Sequence, residues 1–92
     1  MKMIYVSGDG DYAAIAFENF FNRKSVKEII DTEFTENTSS ISYETDDGDF
    51  EIELYDFDVI DPEFISFVRR EVLDYDMAKH SNFYFENEII RA

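Results

Sequence analysis

Lys27 and Arg69 bracket a stretch that contains no Lys or Arg but carries fourteen carboxylates: Glu28, Asp31, Glu33, Glu36, Glu44, Asp46, Asp47, Asp49, Glu51, Glu53, Asp56, Asp58, Asp61 and Glu63. Outside it eight acids face eight bases, so the formal charge of −14 belongs to this one block. The block also holds the clearest strand pattern of the chain. Ile41, Tyr43 and Thr45 alternate with Ser42, Glu44 and Asp46, and Phe50, Ile52 and Leu54 alternate with Asp49, Glu51 and Glu53. Asp46-Asp47-Gly48-Asp49 between them is turn chemistry. A period of two sends apolar side chains to one face of such a hairpin and carboxylates to the other.

A soluble domain needs only a few net charges to stay in solution. Gathering so many of one sign raises the self-repulsion of the compact state, a cost that makes sense if the field is itself the function. Halophilic adaptation and ordinary solvated surfaces also produce acidity. They would scatter it over the whole chain, whereas the flanks here are balanced.

At 92 residues the chain supports one core and hence one domain, residues 1–92. With 45% hydrophobic and 17% aromatic residues, ten Phe and six Tyr among them, it has the apolar area for a small core rather than a disordered tail. Having no Cys excludes disulfides and thiolate metal sites and agrees with a reducing compartment. Met1-Lys2-Met3-Ile4-Tyr5-Val6 is too short for a signal-peptide apolar region, and no apolar run reaches the roughly 18–20 residues of a membrane span. A pI near 4.1 means repulsion from DNA, RNA and anionic lipid. Basic protein surfaces are the expected partners, with no direct nucleic-acid binding and no membrane.

Residues 3–6 are β-prone and end at the Gly8-Asp9-Gly10-Asp11 breaker. Residues 12–22, with Ala13, Ala14, Ile15, Ala16, Phe17, Phe20 and Phe21, form a helix expected to be buried on more than one side. Ser25-Val26-Lys27-Glu28 is a capping box opening a short helix to about Asp31, and residues 35–40 are a polar loop. Asp61-Pro62 starts a helix running to about Lys79, with Ile65, Val68, Val72 and Tyr75 on one stripe widened by Phe64 and Phe67. Residues 83–90 read as a last strand. The expected class is α+β: a small antiparallel sheet with a central acidic hairpin packed against two main helices.

Catalysis finds no foothold. His80 is the only histidine, and a lone imidazole lacks both the orienting carboxylate and the nucleophile a catalytic site needs; it reads as a surface or helix-end residue. No signature singles out one carboxylate pair as a glycosidase dyad. Gly8-Asp9-Gly10-Asp11 lacks the third glycine of a phosphate loop, and its two carboxylates would repel phosphate. It reads as a tight turn with Asp11 as N-cap. If Gly48 were the turn glycine of an EF-hand, the first, third and twelfth positions would be Tyr43, Thr45 and Leu54, which the motif does not accept. No enzyme activity, metal or cofactor is expected.

The acids are themselves the candidate site. Same-face residues along a strand lie about 6.5–7 Å apart, so Asp49, Glu51 and Glu53 make a regular row. Glu44 and Asp46 add a second row roughly 5 Å across the ladder. Asp47 sits at the turn, Asp56, Asp58, Asp61 and Glu63 carry the row into the following helix, and Asp31, Glu33 and Glu36 lead into it. Tyr43, Tyr55 and Phe57 are candidate apolar anchors within this field. A DNA-binding cleft recognises backbone charge first, and a protein carrying carboxylates in that pattern can occupy it competitively.

In length, acidity and the run Met1-Lys2-Met3-Ile4-Tyr5-Val6-Ser7-Gly8-Asp9-Gly10-Asp11-Tyr12, the chain resembles phage DNA-mimic proteins that disable host DNA-binding defences, most of all the anti-restriction nuclease family of T-even phages. The likeness spans all 92 residues in size and charge and has no catalytic or ligand motif, because DNA mimics share none. It implies inhibition of a modified-cytosine-dependent, McrBC-type restriction nuclease in the cytoplasm of an infected bacterium. Nucleoid-associated proteins are further implied targets, and the resemblance implies a homodimer whose acidic faces join. The alternative from the residues alone is an acidic immunity protein or antitoxin neutralising one basic toxin, for which the same field would serve.

Overall fold

Strand β3 (Gly48–Asp56) has a hydrogen-bonded neighbour on each side, and its two rows of side chains meet different surroundings. It pairs antiparallel with β2 (Ser40–Thr45) and with β1 (Lys2–Gly8), and β1 pairs on its far side with β4 (Asn82–Phe85), giving the order β2-β3-β1-β4. The computed structural model describes residues 1–8, 11–70 and 82–91. Among them are three helices, α1 (Asp11–Phe20), α2 (Val26–Glu33) and α3 (Pro62–Val68). The class is α+β, as expected. The β2–β3 pair is not central, however: β2 is an outer strand, and the interior pair is β3 with β1.

One face of the sheet carries the core. Ile4 and Val6 of β1 and Phe50 and Ile52 of β3 are buried against Ala13, Ala16 and Phe17 of α1 and Val26, Ile29 and Ile30 of α2. The two alanines let α1 approach the sheet, and Phe17 fills the space between, its ring edge-on to Phe50 at 5.8 Å and 4.7 Å from Tyr84. Each fully buried Phe or Ile of this kind contributes about 1.5–3 kcal/mol. α1 is buried on one face only: Tyr12, Ile15 and Phe20 are exposed, since the sheet covers a single side of it.

The opposite face is divided. At one end α3 lies across it, and Phe67 packs against Tyr55 (4.8 Å), Phe83 (5.3 Å) and Tyr5 (6.2 Å), with Met3 also buried. The two main helices expected from the sequence therefore sit on opposite sides of the sheet. The apolar stripe of α3 also differs from the expected one. Phe67 is buried and Phe64 and Val68 are half-buried, but Ile65 is exposed, because the sheet meets the other flank of the helix. Val72, Tyr75, Lys79 and His80 lie outside the described residues, as do Asp9 and Gly10.

Local chemistry sets the element ends. Ser25 Oγ accepts from the Glu28 amide at 3.1 Å, and Asp61 Oδ1 accepts from the Glu63 amide at 2.9 Å with Pro62 opening α3. Asp11 is already helical rather than a cap. Strand β4 stops at Phe85 instead of running to Ile90: the chain turns at Glu86 and Asn87, and Ile89 makes one bridge to Ser25. The Arg23 and Val26 amides donate to the Ile90 and Glu88 carbonyls and the Lys24 carbonyl accepts from the Ile90 amide, holding this C-terminal segment beside the α1–α2 connection, and Ile90 plugs the core.

Two glycines close the β3 end of the sheet. Gly48 (φ +135°) takes the backbone conformation that Asp46 and Asp47 avoid, so the glycine belongs to the first strand position and not to the turn. Gly8 (φ +153°) is tighter, since an added Cβ would stand 2.8 Å from the Asp49 carbonyl oxygen and 3.0 Å from Ala13 Cβ. Gly8→Ala is expected to destabilise the protein by about 1–3 kcal/mol. Gly48→Ala, strained but not crowded, should cost less. Equal denaturation midpoints for Gly8→Ala and the parent would remove this close approach as a constraint.

Candidate protein-binding surface

The backbone hydrogen bond from Leu54 N to Ser39 O (2.9 Å) sets the alternation of the β2–β3 ladder. With Ser40 opposite Glu53, Ser42 opposite Glu51 and Glu44 opposite Asp49, all three outer-face pairs fall at the non-hydrogen-bonded sites, where Cα atoms approach to about 4.5 Å. The second row is therefore mostly serine. Asp46 lies in the turn rather than on the row, and only Glu44 and Asp49 oppose like charges across the ladder.

The serines do more than dilute charge. Ser40 Oγ donates to Glu51 Oε1, and Tyr55 Oη donates to Glu53 Oε2 at 2.6 Å. Glu51 and Glu53 are thus half-buried and oriented, while Glu44 and Asp49 are exposed. Asn19 Nδ2 of α1 donates to Asp47 at 3.3 Å, fixing the turn against the helix. Ser7, Ser42, Glu44, Asp49 and Glu51 line a shallow open hollow on this face.

The other predicted acids divide among separate places. Glu33 is half-buried on the helix-covered side, where Tyr43 Oη donates to it at 2.9 Å. Asp31 pairs with Lys27 at 3.0 Å, and Glu36 is exposed in the loop after α2. Asp56 has the opposite strand parity from Glu53, so it leaves the row, and the N-terminal ammonium lies 3.4 Å from it. Asp58 accepts from the Ile60 amide, Asp61 caps α3, and Glu63 is exposed in its first turn. The ion pairs seen among the described residues, at Asp31 and Asp56, leave Glu44, Asp49, Glu51 and Glu53 untouched.

The expected aromatic anchors are structural. Tyr43 faces the core side and stacks on Phe50 at 4.9 Å, and Tyr55 stacks on Phe57 at 5.5 Å beneath α3. On α1 the exposed apolar side chains are Tyr12, Ile15 and Phe20, the last 5.2 Å from the Tyr43 ring and close to the Asp46–Asp47 turn, and Val59 and Ile60 are exposed just before α3. Among the described residues no three or more Asp, Glu or His converge to hold a metal ion, and no helix is long and apolar enough to cross a membrane. Comparison with protein-family models, curated proteins and solved structures yields no match to this chain.

Two tyrosines tie helices to the sheet through carboxylates: Tyr43 to Glu33 of α2, and Tyr84 to Glu18 of α1 at 2.9 Å. Burial, then the hydrogen bond to the carboxylate and its negative charge, pushes both hydroxyls well above the ordinary tyrosine range. In the unfolded chain they deprotonate near pH 10. Above that pH the unfolded state binds fewer protons than the folded one, so this stabilisation is fully present below about pH 10 and is lost as pH rises. A Tyr43→Phe/Tyr84→Phe variant is expected to show a shallower fall in thermal midpoint than the parent between about pH 9 and 11. Parallel curves followed by circular dichroism would refute the linkage.

Proposed function

We propose that this chain is a DNA mimic that inhibits basic DNA-binding proteins of a bacterial host. A McrBC-type restriction nuclease is the leading target class and nucleoid-associated proteins are further ones. The observation that carries the proposal is charge density. Glu44, Asp49, Glu51 and Glu53 lie along β2–β3, with Asp46 and Asp47 in the turn that joins them, and the distance from the turn to Glu53 is roughly 20 Å. That is about one charge per 3.3 Å, against one per 3.4 Å along a single DNA strand. The molecule's longest dimension, 37 Å, is close to the roughly 34–36 Å of one duplex turn.

A groove built for phosphate meets these carboxylates through the same long-range field, releasing counterions from both surfaces. The mimic offers no base edges to read and no phosphodiester to cut. Inhibition is competitive occlusion, which needs no catalysis, cofactor or metal. The setting is the cytoplasm of a phage-infected cell, and pairing of two copies would lengthen the footprint. A second reading, an immunity protein or antitoxin against one basic toxin, draws on exposed Tyr12 and Phe20 beside the acidic turn, since aromatic anchors mark specific interfaces.

Capture from bacterial lysate with elution by a salt gradient separates the two. Several DNA-binding proteins, each released by duplex DNA, support mimicry; a single partner indifferent to DNA favours the second reading. Asp49→Lys/Glu51→Lys/Glu53→Lys is expected to weaken displacement of DNA by at least tenfold, roughly a kcal/mol or more of lost attraction. Its thermal midpoint should be unchanged or raised as repulsion falls. Added salt should stabilise the parent fold while weakening the complex. Undiminished inhibition by the folded triple variant would remove this face from the site.

A further inference from the structure

Among the described residues β2 is the terminal strand of the sheet on the acidic side, and its outer edge lies along the row just described. Because Ser40, Ser42 and Glu44 occupy non-hydrogen-bonded sites opposite β3, their backbone N–H and C=O groups point away from the sheet. Among the described residues no backbone hydrogen bond from outside the sheet reaches these three positions. An edge of this kind is a template for one more strand.

The side chains around the edge specify what that strand is. A guest residue opposite Ser40, Ser42 or Glu44 projects onto the anionic face. A long cationic side chain there reaches Glu44 directly. The small serines leave room for it to lie over β2 toward Glu51 and Glu53, which stand opposite Ser42 and Ser40. Guest residues in between project to the other face, beside half-buried Ile41 and Tyr43. A second copy of this chain is the wrong guest: it would bring its own Glu44, Asp49, Glu51 and Glu53 to the same surface.

We infer that the β2 edge binds an extended basic segment of a partner protein by strand addition, with Lys or Arg at every second position over the acidic face. The inference rests on the anionic face of the proposed function for the sign of the partner's charge. It does not depend on displacement of DNA.

The test uses the full chain and a synthetic peptide of about nine residues alternating Lys and Val. Binding is expected to protect the Ser42 and Glu44 amides from hydrogen exchange. N-methylation at the Lys positions, which blocks the bonds to β2 without changing charge, should weaken binding at least about tenfold; methylation at the Val positions should do so far less. Ser42→Pro, which removes one outward N–H and is tolerated on an edge, should lower affinity for the unmethylated peptide at least about tenfold. Equal binding by both methylated peptides, or protection confined to other surfaces, would overturn strand addition even if Ser42→Pro failed to fold. Concentration-dependent dimerisation that buries the same amides would assign the edge to a second copy instead. Loss of DNA displacement alone would count against mimicry and leave the edge standing.

Discussion

Everything in this structure depends on the two-residue period of β3. Phe50 and Ile52 are buried on one side of the strand, with Leu54 packed beside them, while Asp49, Glu51 and Glu53 occupy the other. A slip of one residue would exchange the rows, setting carboxylates against Phe17 and Ile4. Burying an unpaired carboxylate costs several kcal/mol or forces it to take up a proton, so the acidic row guards the register as firmly as the apolar row does. Both neighbouring strands inherit that register, β1 through Val6 opposite Ile52 and β2 through Ile41 opposite the same residue.

The charged face is held together by relief at close range. Opposed like charges destabilise a ladder, and this one confines them to Glu44 and Asp49, placing Ser42 and Ser40 opposite the next two acids. Donors from Ser40 and Tyr55 orient Glu51 and Glu53, and the N-terminus of α3 receives Asp61 and Glu63. None of these groups is a cation, so local relief leaves the net field intact. Carboxylates fixed on strands also lose less freedom on binding than the same groups on a loop. The surface is anionic and already in place.

Features governed by near neighbours in the chain were legible in the sequence. The alternation around Asp46-Asp47, the Ser25 cap and the Asp61-Pro62 helix start each depend on residues a few positions apart. The side of the sheet on which α3 lies was not, because Phe64, Ile65, Phe67 and Val68 offer apolar surface in several directions. Contacts with Tyr5, Tyr55 and Phe83, distant in sequence, select Phe67 over Ile65. The early end of β4 was hidden for a similar reason: Ile89 and Ile90 read equally well as strand until Ser25 and the core claim them. Within the candidate site the row on β3 was visible. The Ser40 and Ser42 interruption was missed, because residues 35–40 read as loop and Glu44 and Asp46 as the second row; the paired register, not the local pattern, sets both serines opposite Glu53 and Glu51. Asp56 left the row because its parity differs from that of Glu53, which continuity of charge along the chain concealed.

An uncovered sheet edge is ordinarily a liability, since any exposed strand can add to it. Here the charge acts as a filter on what may approach. Two copies brought edge to edge would add one anionic face to another, and no Lys or Arg lies between residues 28 and 68 to relieve the contact. A cationic partner meets no such barrier: the field that repels a second copy raises its encounter rate. On the proposed reading, the same carboxylates would keep a second copy off the edge and leave it open to a guest of opposite sign.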